Sequence, residues 1–154
     1  MNLVQTIYWV EYLAAFALVN NPMKDKKLLQ VTAGIIKKKE LILCTRRASN
    51  RHLAGYWEFP GGKIEPGESA EVCLVRELKE ELNIDVQVGD LFATNVYEYD
   101  QHIVELHAYW VTTFSGNLIL KDHDTFLWLP LSALNTLKWA PADVAFIDKL
   151  VIQR

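Results

Sequence analysis

Gly61-Gly62-Lys63-Ile64-Glu65-Pro66-Gly67-Glu68-Ser69, running on into Ala70-Glu71-Val72-Cys73-Leu74-Val75-Arg76-Glu77-Leu78-Lys79-Glu80-Glu81-Leu82-Asn83-Ile84, is the stretch whose reading decides the fold. Two glycines after Pro60 and the pair Pro66-Gly67 punctuate the backbone, so the first part reads as loop. Ser69 is placed to cap a helix, with Glu71 in the first turn. The helix is expected to run to about Leu82, where Asn83 takes a left-handed closing position. At 100° per residue Val72, Val75, Leu78 and Leu82 fall on one face, expected to be the inner one. Ala70, Cys73, Glu77, Glu80 and Glu81 fall on the other. Glu77 stands three and four residues before Glu80 and Glu81, and like charges at that spacing cost about 0.2–0.5 kcal/mol per pair. A hard divalent cation turns that repulsion into attraction, and Mg²⁺ is held by carboxylates shared with substrate phosphates. A solvated acidic face is the alternative use of three glutamates. The adjoining glycines, which let backbone approach a phosphate or a metal closely, weigh against it.

The spacing of Gly62, Glu68, Arg76-Glu77-Leu78, Glu80-Glu81 and Asn83-Ile84 resembles the Nudix box. One position departs: the family has Gly where this chain has Asn83, and Asn tolerates the left-handed conformation. The lead-in Trp57-Glu58-Phe59-Pro60-Gly61-Gly62-Lys63 resembles the MutT-like branch in particular. That resemblance extends from about Leu28 to Arg154. It implies an α/β fold with a mixed β-sheet in an α/β/α sandwich. It also implies an enzyme, a hydrolase that takes a nucleoside triphosphate and water to the monophosphate and pyrophosphate. The cofactor implied is Mg²⁺, with Mn²⁺ as the alternative. By resemblance the metal ligands are Glu77, Glu80, Glu81 and the Gly61 carbonyl. Glu77 is the first candidate for general base and Asp122 the second, while Arg76 orients the carboxylates. Arg47, Glu58, Phe59, Lys63 and Asp143 fall where the branch contacts the nucleotide. The favoured role is clearing oxidised nucleotides such as 8-oxo-dGTP. The regions His107-Ala108-Tyr109-Trp110 and Ala140-Pro141-Ala142-Asp143 look closer to CTP pyrophosphohydrolases, so CTP or dCTP is the second expectation. Cleavage of ADP-ribose ranks lower, because that branch carries a proline beyond the box and none stands here between Pro66 and Pro130. A nucleotide-sensing module without catalysis would tend to lose box carboxylates, and this chain keeps them all.

Bulk properties narrow the partners. A chain of 154 residues, 51% hydrophobic, suits one domain with a real core. A net charge of −3 argues against a polybasic surface for duplex nucleic acid. Cys44 and Cys73 are too few for a disulfide framework and read as free thiols in a reducing cytoplasm. Cys73 is expected to be a small buried filler. Oligomeric state is not legible.

Residues 1–23 stand apart from the domain at 24–154. Ile7 to Val19 is almost continuously apolar yet too short to span a bilayer, which takes about 20 residues. It lacks a basic leader and a small-residue cleavage pattern. Three readings stay open: a packed N-terminal helix, an upstream extension with Met23 as the start, and an interfacial anchor. Further on, strands are expected at 26–37, 40–46, 56–59, 86–99 and 102–114, with short strands at 117–120 and 126–129. Lys38-Lys39 and Ser115-Gly116-Asn117 mark turns. Pro130 begins a helical turn, and Pro141 opens a last helix to Ile152 with Val144, Ile147 and Val151 on its inner side. None of His52, His102, His107 and His123 makes a zinc spacing with cysteine. His107 reads as a core or pocket histidine, and His123 as a partner that orients its neighbour Asp122.

Overall fold

A computed structural model describes residues 26–152; the apolar stretch at 1–23 lies outside them. In chain order the described residues form β1 (Lys27–Lys38), β2 (Leu41–Arg47), β3 (Trp57–Glu58), α1 (Ala70–Leu82), β4 (Asp85–Glu98), β5 (His102–Ser115), β6 (His123–Pro130), a 3₁₀ turn (Leu131–Thr136) and α2 (Val144–Ile152). The sheet runs β3-β2-β1-β5-β4, with β6 on β2. β1 and β5 are parallel, whereas β4 with β5 and β2 with its neighbours are antiparallel, so the sheet is mixed.

Side chains alternate across a strand, and here both faces are covered. Ile35, Ile42 and Ala108 enter a core with Leu134, Phe146, Ile147 and Leu150. Their neighbours Ile36, Leu43 and Tyr109 enter another with Leu74, Leu78 and Leu82 of α1. This two-sided burial makes the α/β/α sandwich. It also explains why 32–36 is buried without a break.

β1 and β2 pair only at Lys37↔Ile42 and Lys38↔Leu41 before they splay. The glycine segment fills the space beside β1. Gly34 donates to the Pro60 carbonyl and Thr32 to that of Gly62, each at 2.8 Å, and Ile64 donates to Gln30. Carbonyls in an extended segment alternate sides, so that of Gly61 points away from β1. A β-carbon on Gly61 would overlap the Thr32 carbonyl, so this contact requires glycine.

Three expectations are corrected. Val72 and Val75 are 57% and 41% exposed, and α1 instead buries Cys73, Leu74, Leu78 and Leu82. The buried face does not lie opposite the glutamates: Glu77 and Glu81 flank it. Residues 117–120 form no strand: Ile119 and Lys121 bond back to the carbonyls of Leu82 and Glu81, which leaves no partner strand. α2 begins at Val144, not Pro141, and Val144 is exposed while Phe146, Ile147 and Leu150 are buried. The residues from Pro141 to Asp143 form a turn in which the Asp143 carbonyl receives the first amides of the helix.

Candidate active site

Ser69 caps α1 by accepting the Val72 amide at 3.2 Å, and Asn83 closes it at φ 58°. The helix is thereby fixed at both ends, which sets the register of its acidic residues. Glu68, just before the cap, receives Arg76 through two hydrogen bonds, Nε to Oε1 at 2.6 Å and Nη2 to Oε2 at 2.9 Å. The guanidinium and the Glu65 amide hold the Glu68 carboxyl down at about 2. Arg76 also donates to Glu77 Oε1 at 2.8 Å, to Glu80 Oε2 at 3.4 Å and to the Lys63 carbonyl at 3.3 Å. One guanidinium thus ties the glycine loop to the helix.

The box glutamates are not equivalent. Glu77 and Glu81 line a cleft of about 410 Å³ together with Gly61, Gly62 and Lys63. Glu80 points outward with its side chain 60% exposed. Glu81 carries a buried oxygen, Oε2, without a partner. Burial, then the charges of Glu77, Glu58 and Asp122, push its carboxyl up to about 9. Gly62 lies so close to Glu77 that a β-carbon would overlap the carboxylate.

Among the described residues no three acidic, histidine or cysteine side chains close around one point. The donors nevertheless fit a hard cation: they are all oxygens, two carboxylates face one cleft, and one oxygen is orphaned. Glu77, Glu81 and the Gly61 carbonyl are the groups that could hold it. Glu80 would have to leave Arg76 to join them.

The other end of the cleft lies where β2, β3 and β6 meet. Glu58 Oε2 accepts from Arg47 Nη1 at 2.6 Å, and Arg47 Nε donates to the His52 carbonyl at 2.6 Å. Glu58 Oε1 lies 2.8 Å from His123 Nε2. The expected pairing of His123 with Asp122 is therefore corrected: Asp122 lies in the bend before β6, whereas the imidazole of His123, the first residue of β6, turns inward to Glu58. Asp122 is paired with Arg51 instead. Phe59 lines the cleft, but it is also a core residue, its ring 4.9 Å from that of Trp139. Asp143 is 5% exposed, and its Oδ1 accepts the Phe59 amide at 3.1 Å. Burial, then the charge of Glu58, raises its carboxyl well above the ordinary value.

Thus Arg47, Glu58, Phe59, Gly61, Lys63, Glu77, Glu81 and Asp143 share one cleft. Asp122 and Arg76 flank it. Sequence reasoning missed Arg51, His52, Tyr99 and His102, which also line it. Tyr99 and His102 stack at 5.1 Å across the β4–β5 turn. The alternating Tyr97 and Tyr99 before that turn were a signal left unread.

The NUDIX domain family matches residues 28–150. The chain is 38% identical over 128 residues to the CTP pyrophosphohydrolase of Escherichia coli K12, covering 83% of this chain and 95% of that one. It is 39% identical over 125 residues to the 8-oxo-dGTP diphosphatase of the same strain, covering 80% and 97%. The solution structure of the E. coli ORF135 protein superposes with a TM-score of 0.75 at 37% identity, covering 84% of this chain and 92% of that one. No described helix is long and apolar enough to cross a membrane.

Proposed function

The chain belongs to the Nudix family as a MutT-like hydrolase of nucleoside triphosphates, and from that premise we propose that it uses Mg²⁺, or Mn²⁺ in its place, to release the nucleoside monophosphate and pyrophosphate. The observation that carries the reading is a single cleft with two chemically distinct ends. One end holds Glu77 and the orphaned Glu81 oxygen, and the other holds the buried acid Asp143.

When bound, the cation supplies positive charge to the phosphate oxygens and acidifies water. Glu77, held by Arg76, accepts the proton of the attacking water. Asp122 is the second candidate for that role, and it must first exchange its pairing with Arg51. Lys63 brings positive charge to the phosphates, while Arg47, Glu58 and Phe59 wall the nucleoside. Asp143 faces the base edge. When ionised, its carboxylate accepts hydrogen bonds and cannot donate them, so it favours a base bearing an N–H donor.

The substrate we favour is an altered deoxynucleotide such as 8-oxo-dGTP. CTP or dCTP is the second reading, supported by Asp143: an ionised carboxylate pairs with the cytosine N4 amino group. Two buried free cysteines support a reducing, cytoplasmic setting. The test is hydrolysis of 8-oxo-dGTP, dGTP, CTP and UTP with Mg²⁺, with products separated by ion-exchange chromatography. Monophosphate and pyrophosphate are expected. Diphosphate and inorganic phosphate, or binding without turnover, would overturn the reading.

A further inference from the structure

Glu58 is gripped from two sides by residues of two other strands. β2 lies between β3 and β6, with Thr45 opposite Glu58 and Arg47 opposite His123. The β2–β6 register shifts between Arg46 and Arg47, which places a bulge beside these contacts. Arg47 takes one oxygen of Glu58 and His123 the other. A carboxylate can only accept, so Nε2 carries the proton shared with Glu58. The His123 side chain is 2% exposed, and its Nδ1 is buried without a partner. As filler this imidazole is a poor choice, since a leucine would occupy the space with no orphaned nitrogen. Its hydrogen bond to Glu58 is the feature that a leucine could not supply.

We propose that His123 is a positioning residue for nucleotide binding. It fixes Glu58, Glu58 fixes Arg47, and Arg47 holds the His52 carbonyl and with it the wall made by Arg51, His52 and Leu53. The chain of contacts runs from a strand behind the cleft to the loop at its mouth. Charge-assisted hydrogen bonds fix geometry as well as energy, and each link here involves an ionised group. His123 itself does not line the cleft, so it acts through Glu58. The proposal rests on the reading of the cleft as a nucleotide site.

The test compares the full chain with His123→Ala, His123→Gln, Glu58→Gln and the double variant His123→Ala/Glu58→Gln. Affinity for the α,β-methylene analogues of dGTP and CTP is measured by calorimetry with Mg²⁺, alongside kcat and KM for the substrate panel. His123→Ala should weaken binding and raise KM about tenfold or more, the factor for losing a charged hydrogen bond, with kcat nearly unchanged. Glutamine keeps a side-chain N–H and should restore most of the affinity. In the Glu58→Gln background the alanine should add little, because the two residues act in series. Wild-type affinity in a folded His123→Ala protein, or fully additive losses in the double variant, would overturn the proposal while leaving the function standing. Should His123→Ala not fold, nitrogen NMR of the wild-type imidazole decides. A proton on Nε2 supports the link to Glu58, and one on Nδ1 alone overturns it. A wild type that binds neither analogue and hydrolyses no triphosphate would remove the nucleotide site itself, and the proposal with it.

Discussion

Asp143 and Phe59, 84 positions apart, are joined by one hydrogen bond from the Phe59 amide to the Asp143 carboxyl at 3.1 Å. That bond occupies Oδ1 and leaves Oδ2 for a ligand. Above its raised folded-state value the ionised carboxylate accepts from an amino-bearing base, whereas O4 of uracil would meet a second acceptor; below that value the protonated carboxyl also donates and the preference softens. An acceptor left unpaired on burial costs about 1–3 kcal/mol, roughly ten- to a hundredfold. Asp143→Ala should therefore lower the preference for CTP over UTP by about that factor. The Mg²⁺ dependence of turnover should not change. The measurement is kcat/KM for CTP, UTP, dGTP and 8-oxo-dGTP in both proteins, and unchanged ratios would remove Asp143 as the base reader.

The same carboxyl makes stability depend on pH. Burial, then the charge of Glu58, raises its folded-state value. Once pH exceeds the unfolded value of about 3.9, the folded protein still holds a proton that the unfolded chain has lost. Stability therefore falls as pH rises from there toward the folded value. Asp143→Asn keeps an oxygen for the Phe59 amide and removes the titration. Its urea-unfolding free energy should decline less than that of the wild type from pH 4 upward. Parallel curves would show that Asp143 is not protonated when folded.

Glu81→Gln should preserve the fold and lower kcat by about a hundredfold or more, the scale of losing a key electrostatic group. The motive is the orphaned oxygen in the cleft. A second readout is thermal: Mg²⁺ should raise the Tm of the wild type, and the rise should shrink in the variant. Wild-type turnover with an undiminished rise would place the cation elsewhere.

The two glycines of the loop should fail in different ways. A β-carbon on Gly62 meets only the end of the Glu77 side chain, which can swing aside. Gly62→Ala should thus lose most activity with little change in Tm. A β-carbon on Gly61 meets the β1 backbone at Thr32. Gly61→Ala should cost about 1–3 kcal/mol through overpacking, or a Tm drop of about 2–12 °C for a domain of this size. Calorimetry and kcat together separate the two. Equal losses of Tm would contradict the contacts described.

The caps of α1 were legible because Ser69 and Asn83 act on their own neighbours. The mixed sheet and the family were legible from the box and its lead-in. The inner face of α1 was misread because it combines apolar residues with the flanking carboxylates of Glu77 and Glu81 that border the cleft. A hydrophobic stripe sought away from charge leads instead to Val72 and Val75. The His123–Glu58 pair was hidden for another reason: it depends on strand order, since β3 and β6 both dock on β2. Nothing in residues 57–58 or 123–130 taken alone says that they share a neighbour. Glu80 resembles its companions in sequence but is drawn outward by Arg76.

The double grip of Arg76 on Glu68 gives the cleft one side that salt hardly loosens. The glycine loop is fastened to α1 there and to β1 by backbone pairing. The same cleft is lined by Arg51, His52 and Leu53, and Arg51 is held by a more exposed pairing with Asp122. Exposed pairs are screened by salt, so ionic strength should loosen that wall before it loosens the glycine loop.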